Sequence, residues 1–163
     1  MQNWVFNASP LILLGKIGRL DIIGELNSKF SIPSAVADEI NAGPGHDPAR
    51  LWLSKPSNRQ HVLEPLEAPP HLLAWDLGAG ETAVLAHSIA VNGQRAVLDD
   101  RAARNCAEVY GISIIGTVGL LIRAKQASLL PLLRPELIRL VESGSLLGGA
   151  VVDEALKLAG EKE

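Results

Sequence analysis

The sequence predicts an α/β fold: a three-layer α/β/α sandwich in which a parallel sheet lies between two layers of helix. Two observations carry this. Short apolar runs stop at turn-forming or acidic residues and give way each time to stretches with helical spacing, and the connections between successive runs are long enough for a crossover helix. Composition agrees, because the chain is 47% hydrophobic but only 4% aromatic. A Leu, Ile, Val and Ala core of that kind suits a helix-covered parallel sheet better than an all-β sandwich. A length of 163 residues is enough for one compact domain, expected over residues 1–163.

Trp4-Val5-Phe6 is the first strand candidate, and it delivers Asn7 to a loop tip. Ser9 is placed to cap the helix that follows, with Pro10 at its first position. Leu11, Ile12, Leu14 and Ile17 recur at helical spacing, and a second short helix through Leu20, Ile22, Ile23 and Leu26 follows Gly18. Lys29 to Ile32 reads as strand two. Pro33 then opens a helix through Ile40 that carries Glu39 and ends before the breaker cluster Asn41-Ala42-Gly43-Pro44-Gly45. Residues 46–60 form a polar connection with a helical piece around Ala49 to Leu53. His61 to Glu64 is a further strand candidate, and a proline-rich loop from Pro65 to His71 leads toward Leu77-Gly78-Ala79-Gly80-Glu81 and a helix through Asn92, with Glu81 in its first turn. Ala96-Val97-Leu98 is a buried-strand run stopped by Asp99-Asp100. Arg101 to Tyr110 is a helix closed by Gly111, Ile112 to Ile115 a strand, and Gly116-Thr117 the start of a helix over Val118 to Ala127. Helices over Pro131 to Ser143 and Ala150 to Ala159 complete the chain.

Several chemistries are excluded early. One cysteine, Cys106, can make neither an internal disulfide nor a zinc cluster, which fits a cytoplasmic setting. The four histidines, at 46, 61, 71 and 87, lack the spacing of a zinc motif, and Gly78-Ala79-Gly80-Glu81 lacks the Lys-Ser/Thr of a phosphate-binding loop. No signal peptide or membrane span is visible. A net charge of −3 gives no global attraction to nucleic acid, so contact with RNA must rely on local cations beside a metal ion.

In an open parallel sheet, ligands bind beyond the carboxyl ends of the strands. Asn7, Glu39, Glu81, Asp99 and Asp100 all fall at strand ends or just after them. Hard divalent cations favour carboxylate oxygens, and phosphodiester hydrolysis needs an activated water and stabilised phosphate charge. Acids held together without a metal repel one another, so such a cluster is a reason to look for a cation. The structural alternative is plain: with 18 acidic residues, some fall at helix starts where the dipole favours them, and Asp99 capping the next helix with Asp100 solvated explains that pair. Arg101 and Arg104 on one helix, and Arg123 and Lys125 on the next, are candidates to hold an RNA phosphate near the metal, or simply solvate their helices. The hydroxyls of Ser9 and Thr117 are placed to orient water or phosphate, or to cap.

In this order the segments resemble the PIN-domain family, in particular its PIN-like DUF3368 type, often encoded in toxin–antitoxin pairs. They are Val5 to Ile12, Ile32 to Ile40, Leu77 to Ala83, and Val97 to Arg104 with Ile115 to Leu121. The resemblance implies a small Mg²⁺- or Mn²⁺-dependent endoribonuclease acting on RNA, typically a homodimer held inactive by a small antitoxin. It implies Glu39, Glu81, Asp99 and Asp100 as catalytic metal ligands, directly or through water. Asn7 would join them through its carbonyl, and Ser9, Arg101, Arg104 and Thr117 would sit on the substrate side. One departure is Asn7 itself, a neutral amide where many PIN domains carry an aspartate, which weakens metal binding and water activation. A non-catalytic PIN-like RNA- or protein-binding module is the alternative that this amide supports. The apolar segment from Leu146 to Leu158 is a candidate contact for an antitoxin or second subunit, or packs on the sheet.

Overall fold

The structure, a computed structural model, describes residues 2–161. Five short strands, β1 (Trp4–Phe6), β2 (Phe30–Pro33), β3 (Val62–Leu63), β4 (Arg95–Val97) and β5 (Ser113–Ile115), form one all-parallel sheet in the order β3-β2-β1-β4-β5. The central strand β1 is buried along its whole length because helices cover both faces, which is why its sequence is an unbroken apolar run. Trp4 pairs with Phe30 on one side and Arg95 on the other.

Between the strands run α1 (Ala8–Lys16), α2 (Ile22–Leu26), α3 (Ser34–Asn41), α4 (Pro48–Ser54), α5 (Pro56–Arg59), α6 (Pro70–Leu73), α7 (Ala79–Ala90) and α8 (Arg101–Val109). After β5 come α9 (Thr117–Gln126), α10 (Arg134–Glu142) and α11 (Gly149–Leu158). The chain winds outward from β1 to β2 and β3, then crosses back to β4 and β5. Right-handed crossovers therefore put α1 and α2 on one face, where α9 packs against both, and α7 and α8 on the other. The strand order reverses between β1 and β4, and a crevice opens there at the carboxyl edge. Val5, Phe6, Leu11, Ile32, Leu85 and Leu120 fill the core on the two faces of this sheet.

Several local expectations shift. Asn7, not Ser9, occupies the position before α1, its side chain caps nothing, and the helix starts at Ala8. Pro33 ends β2 rather than opening α3. Residues 46–60 hold two short helices, α4 capped by Asp47 through the Ala49 N–H (2.8 Å) and α5 opened by Pro56. The proline-rich loop contains α6, started by Pro70. In each case proline at the first turn sets φ where no backbone donor is needed. Arg19 fastens α10 to the turn between α1 and α2: its Nε and Nη2 donate to Glu136 Oε1 at 3.1 and 2.6 Å, and Glu136 is only 2% exposed. Among the described residues no helix is long and apolar enough to cross a membrane.

Candidate active site

Asn7 leaves β1 at the reversal point. Its N–H donates to Val97 O (2.9 Å), which ties it to β4 and turns its side chain inward, where it is 3% exposed. Oδ1 of that amide is buried without a hydrogen-bond partner. An unmet buried acceptor costs about 1–3 kcal/mol, so an electropositive ligand there would relieve a standing penalty. Across from it, α7 presents Gly80. A Cβ at Gly80 would lie 3.1 Å from Asn7 Oδ1, 3.5 Å from Glu39 Oε2 and 3.6 Å from Val36 Cγ2, so the oxygens of Asn7 and Glu39 converge on the space a side chain would fill.

Glu39 reaches this point from the last turn of α3. Its side chain is largely exposed, yet the carboxyl tucked beside Gly80 is held above the usual carboxylate range, first by desolvation and then by the negative charge of Glu81. Glu81 is half-buried in the first turn of α7, with Oε2 turned back over Gly78 at the helix start, where the dipole favours it. The two acids are thus electrostatic neighbours, as a shared cation requires.

The adjacent acids Asp99 and Asp100 have separate tasks. Asp99 Oδ1 accepts the Thr117 N–H (2.8 Å) and Oδ2 the Thr117 hydroxyl (2.6 Å), joining the end of β4 to the start of α9. Asp100 Oδ2 accepts the Ala103 N–H (2.9 Å) and caps α8. This reverses the structural alternative drawn from the sequence, in which Asp99 was the cap. Neither Ser9 nor Thr117 caps its helix. Gly116 leaves room for Asp99 and for Arg104, since its Cβ would stand 2.7 Å from Asp99 Oδ1 and 3.1 Å from Arg104 Nη1.

A cleft of about 900 Å³ opens here, with Ser9, Asp99, Arg101, Arg104 and Thr117 on its polar side and Leu146, in the α10–α11 connection, on its apolar side. Arg123 and Lys125, candidates either to hold a phosphate near the metal or to solvate their helix, lie in the last turn of α9, where Arg123 sits over Trp4 at the opposite edge of the sheet. Cys106 is buried and its thiol is pushed up by desolvation, so it is an inert core residue. The glycines at 80 and 116 and the Thr117–Asp99 pair were not foreseen. The only signal in the sequence was glycine immediately before Glu81 and Thr117.

Among the described residues no three His, Cys, Asp or Glu side chains converge closely enough to cage a metal ion. The donors present nevertheless fit a hard divalent ion of the Mg²⁺ kind, which takes one or two carboxylates and keeps several waters. They comprise an orphaned amide oxygen and two mutually repelling carboxylates, with the Asn7 and Glu39 oxygens facing one point beside Gly80.

A parallel sheet with oxygen donors at its reversal point and arginines along the adjoining cleft places its polar groups where open α/β domains bind ligands. The DUF3368 family, described as a PIN domain, matches residues 3–161, and the chain belongs to it. PIN domains are generally nucleases. No curated protein and no solved structure matches the chain.

Proposed function

We propose that residues 1–163 act as one PIN-like domain, a metal-dependent endoribonuclease that serves as the toxin of a toxin–antitoxin pair in the cytoplasm. The observation that carries this is the orphaned Asn7 Oδ1 facing Glu39 across the space left by Gly80, inside a chain of PIN type. Asn7, Glu39 and Glu81 would hold Mg²⁺ or Mn²⁺, with Asp99 and Asp100 contributing through water. The ion would supply an activated water and charge stabilisation on the phosphate. Thr117 keeps both Asp99 oxygens fixed, so that carboxylate can accept a proton or orient water without first losing side-chain freedom. Arg101 and Arg104 hold the phosphate from the cleft, and Ser9 offers a hydroxyl beside it.

Exposed apolar residues Ile138 and Val141 on α10 and Val151 and Leu158 on α11 are each at least half exposed and offer the surface for a homodimer or antitoxin contact. A second reading, a PIN-like binding module with little or no catalysis, is favoured by the neutral amide at Asn7 and by the absence of a three-acid cage among the described residues. Purified protein incubated with RNA and Mg²⁺ or Mn²⁺ separates the two. The nuclease reading expects cleavage that falls at least about a hundredfold in Glu81→Gln. An inert wild type together with an active Asn7→Asp variant would establish the binding module instead.

A further inference from the structure

At the edge of the sheet opposite the cleft, β1, β4 and α9 bring two arginines together. Trp4 and Arg95 are paired neighbours on parallel strands, so their side chains share a face. Arg123, one helix away, places its guanidinium 5.8 Å from the centre of the Trp4 ring. Arg95 is half-buried and its Nε is enclosed without a partner. Among the described residues neither guanidinium makes an ion pair or a hydrogen bond. Burial, and then the charge of Arg123, lowers the pKa of Arg95, so the two guanidinium groups are electrostatic neighbours. Arg19 and Arg139, by contrast, both bond to Glu136.

We propose that Arg95 and Arg123 form a phosphate-binding site at the amino edge of the sheet, walled by the Trp4 ring. A phosphate suits the pair better than a carboxylate, because its higher charge offsets two cations and its oxygens can accept from two guanidinium forks at once. Trp4 holds Arg123 in place by cation–π attraction, which reduces the freedom lost on binding. The site is separate from the cleft: four residues of extended chain from Arg95 to Asp99 span about 13 Å. It does not depend on the nuclease reading. The phosphate can come from an RNA backbone or from a free phosphate or nucleotide.

The test follows the arginine Nε–H and tryptophan indole N–H resonances of the whole chain during titration with inorganic phosphate, with ionic strength held constant by chloride. Saturable shifts of the Arg123 and Trp4 signals are expected, with the affinity read from Trp4 weakened at least tenfold in Arg123→Gln and in Arg95→Gln and unchanged in Arg59→Gln. Arg123 is exposed, so its variant keeps the fold even where Arg95→Gln does not. A second arm uses a 2′-O-methyl RNA oligonucleotide. If Arg123→Gln weakens its binding and lowers the salt slope by about 0.7, the RNA backbone supplies the phosphate. If oligonucleotide binding is unchanged while phosphate binding is lost, the source is a free phosphate or nucleotide. No saturable response to phosphate, or the same response in Arg123→Gln, would overturn the site.

Discussion

Replacing Gly80 by alanine separates the proposed metal role of the crevice from its structural role. In a helix, alanine is favoured over glycine by about 0.5–1 kcal/mol. Against this, the new methyl would stand 3.1 Å from Asn7 Oδ1, a few tenths of an ångström closer than comfortable contact. Asn7 has little room to yield, being 3% exposed and tied through its N–H to Val97. The gain and the strain are of similar size, so folding stability should move by no more than about 1 kcal/mol. Metal binding should not survive so easily. The methyl fills the point on which the Asn7 and Glu39 oxygens converge, so Mn²⁺ affinity should fall at least about tenfold, or ~1.4 kcal/mol, and RNA cleavage with it. Calorimetric Mn²⁺ titration together with urea unfolding of the metal-free protein measures both quantities. A Gly80→Ala protein that binds Mn²⁺ like the wild type would show that the space beside Gly80 is not the metal position.

Other consequences follow from single contacts. Thr117→Val keeps the shape of a buried side chain but removes the hydroxyl from Asp99 Oδ2; a loss of about 2 kcal/mol is expected in urea unfolding, with Thr117→Ser close to wild type. Arg19→Ala leaves the buried Glu136 carboxylate with Arg139 alone. Because Arg19 is itself 28% exposed, the cost should be about 2 kcal/mol rather than the full penalty of a stranded charge, and an unfolding midpoint equal to wild type would contradict it. Glu39 binds its proton more tightly folded than unfolded, so the folded chain carries the extra proton between the ordinary carboxylate value and the raised one. Its contribution to the stability of the metal-free protein is therefore present at low pH and lost as pH rises through that window, while metal affinity grows. Glu39→Gln should flatten that part of the stability–pH curve, and an unchanged slope would refute the assignment. The Cys106 thiol should react with a disulfide reagent only as the chain unfolds; fast labelling of the native protein would contradict its burial.

The sheet and the polar residues at its carboxyl edge were legible because burial on two faces leaves a plain mark: apolar runs such as Trp4-Val5-Phe6 and Ala96-Val97-Leu98 that end abruptly at Asn7 and Asp99. Short helices were less so. Four-residue turns such as α5 and α6 have no room for a hydrophobic period, and a proline at their start reads equally well as a loop. Asp99 and Asp100 could not be told apart in sequence, since either can follow a strand. Tertiary structure decides, by bringing the start of α9 against Asp99 and leaving the start of α8 to Asp100. The position of Arg123 is likewise set by tertiary structure. Seven residues into α9, it is carried back along the sheet to the edge where β1 begins. The role of Gly80 is a matter of space, and an amino-acid string does not show what a missing Cβ makes room for.

The most direct test of the metal-centred account is the anomalous scattering of Mn²⁺ in a crystal of the protein soaked with that ion. The account expects one strong peak between Asn7 Oδ1 and the Glu39 carboxylate, beside Gly80 and within reach of Glu81, and its disappearance in Glu39→Gln. No peak at that position at saturating Mn²⁺, or occupancy only at acids outside the crevice such as Asp153, would contradict it.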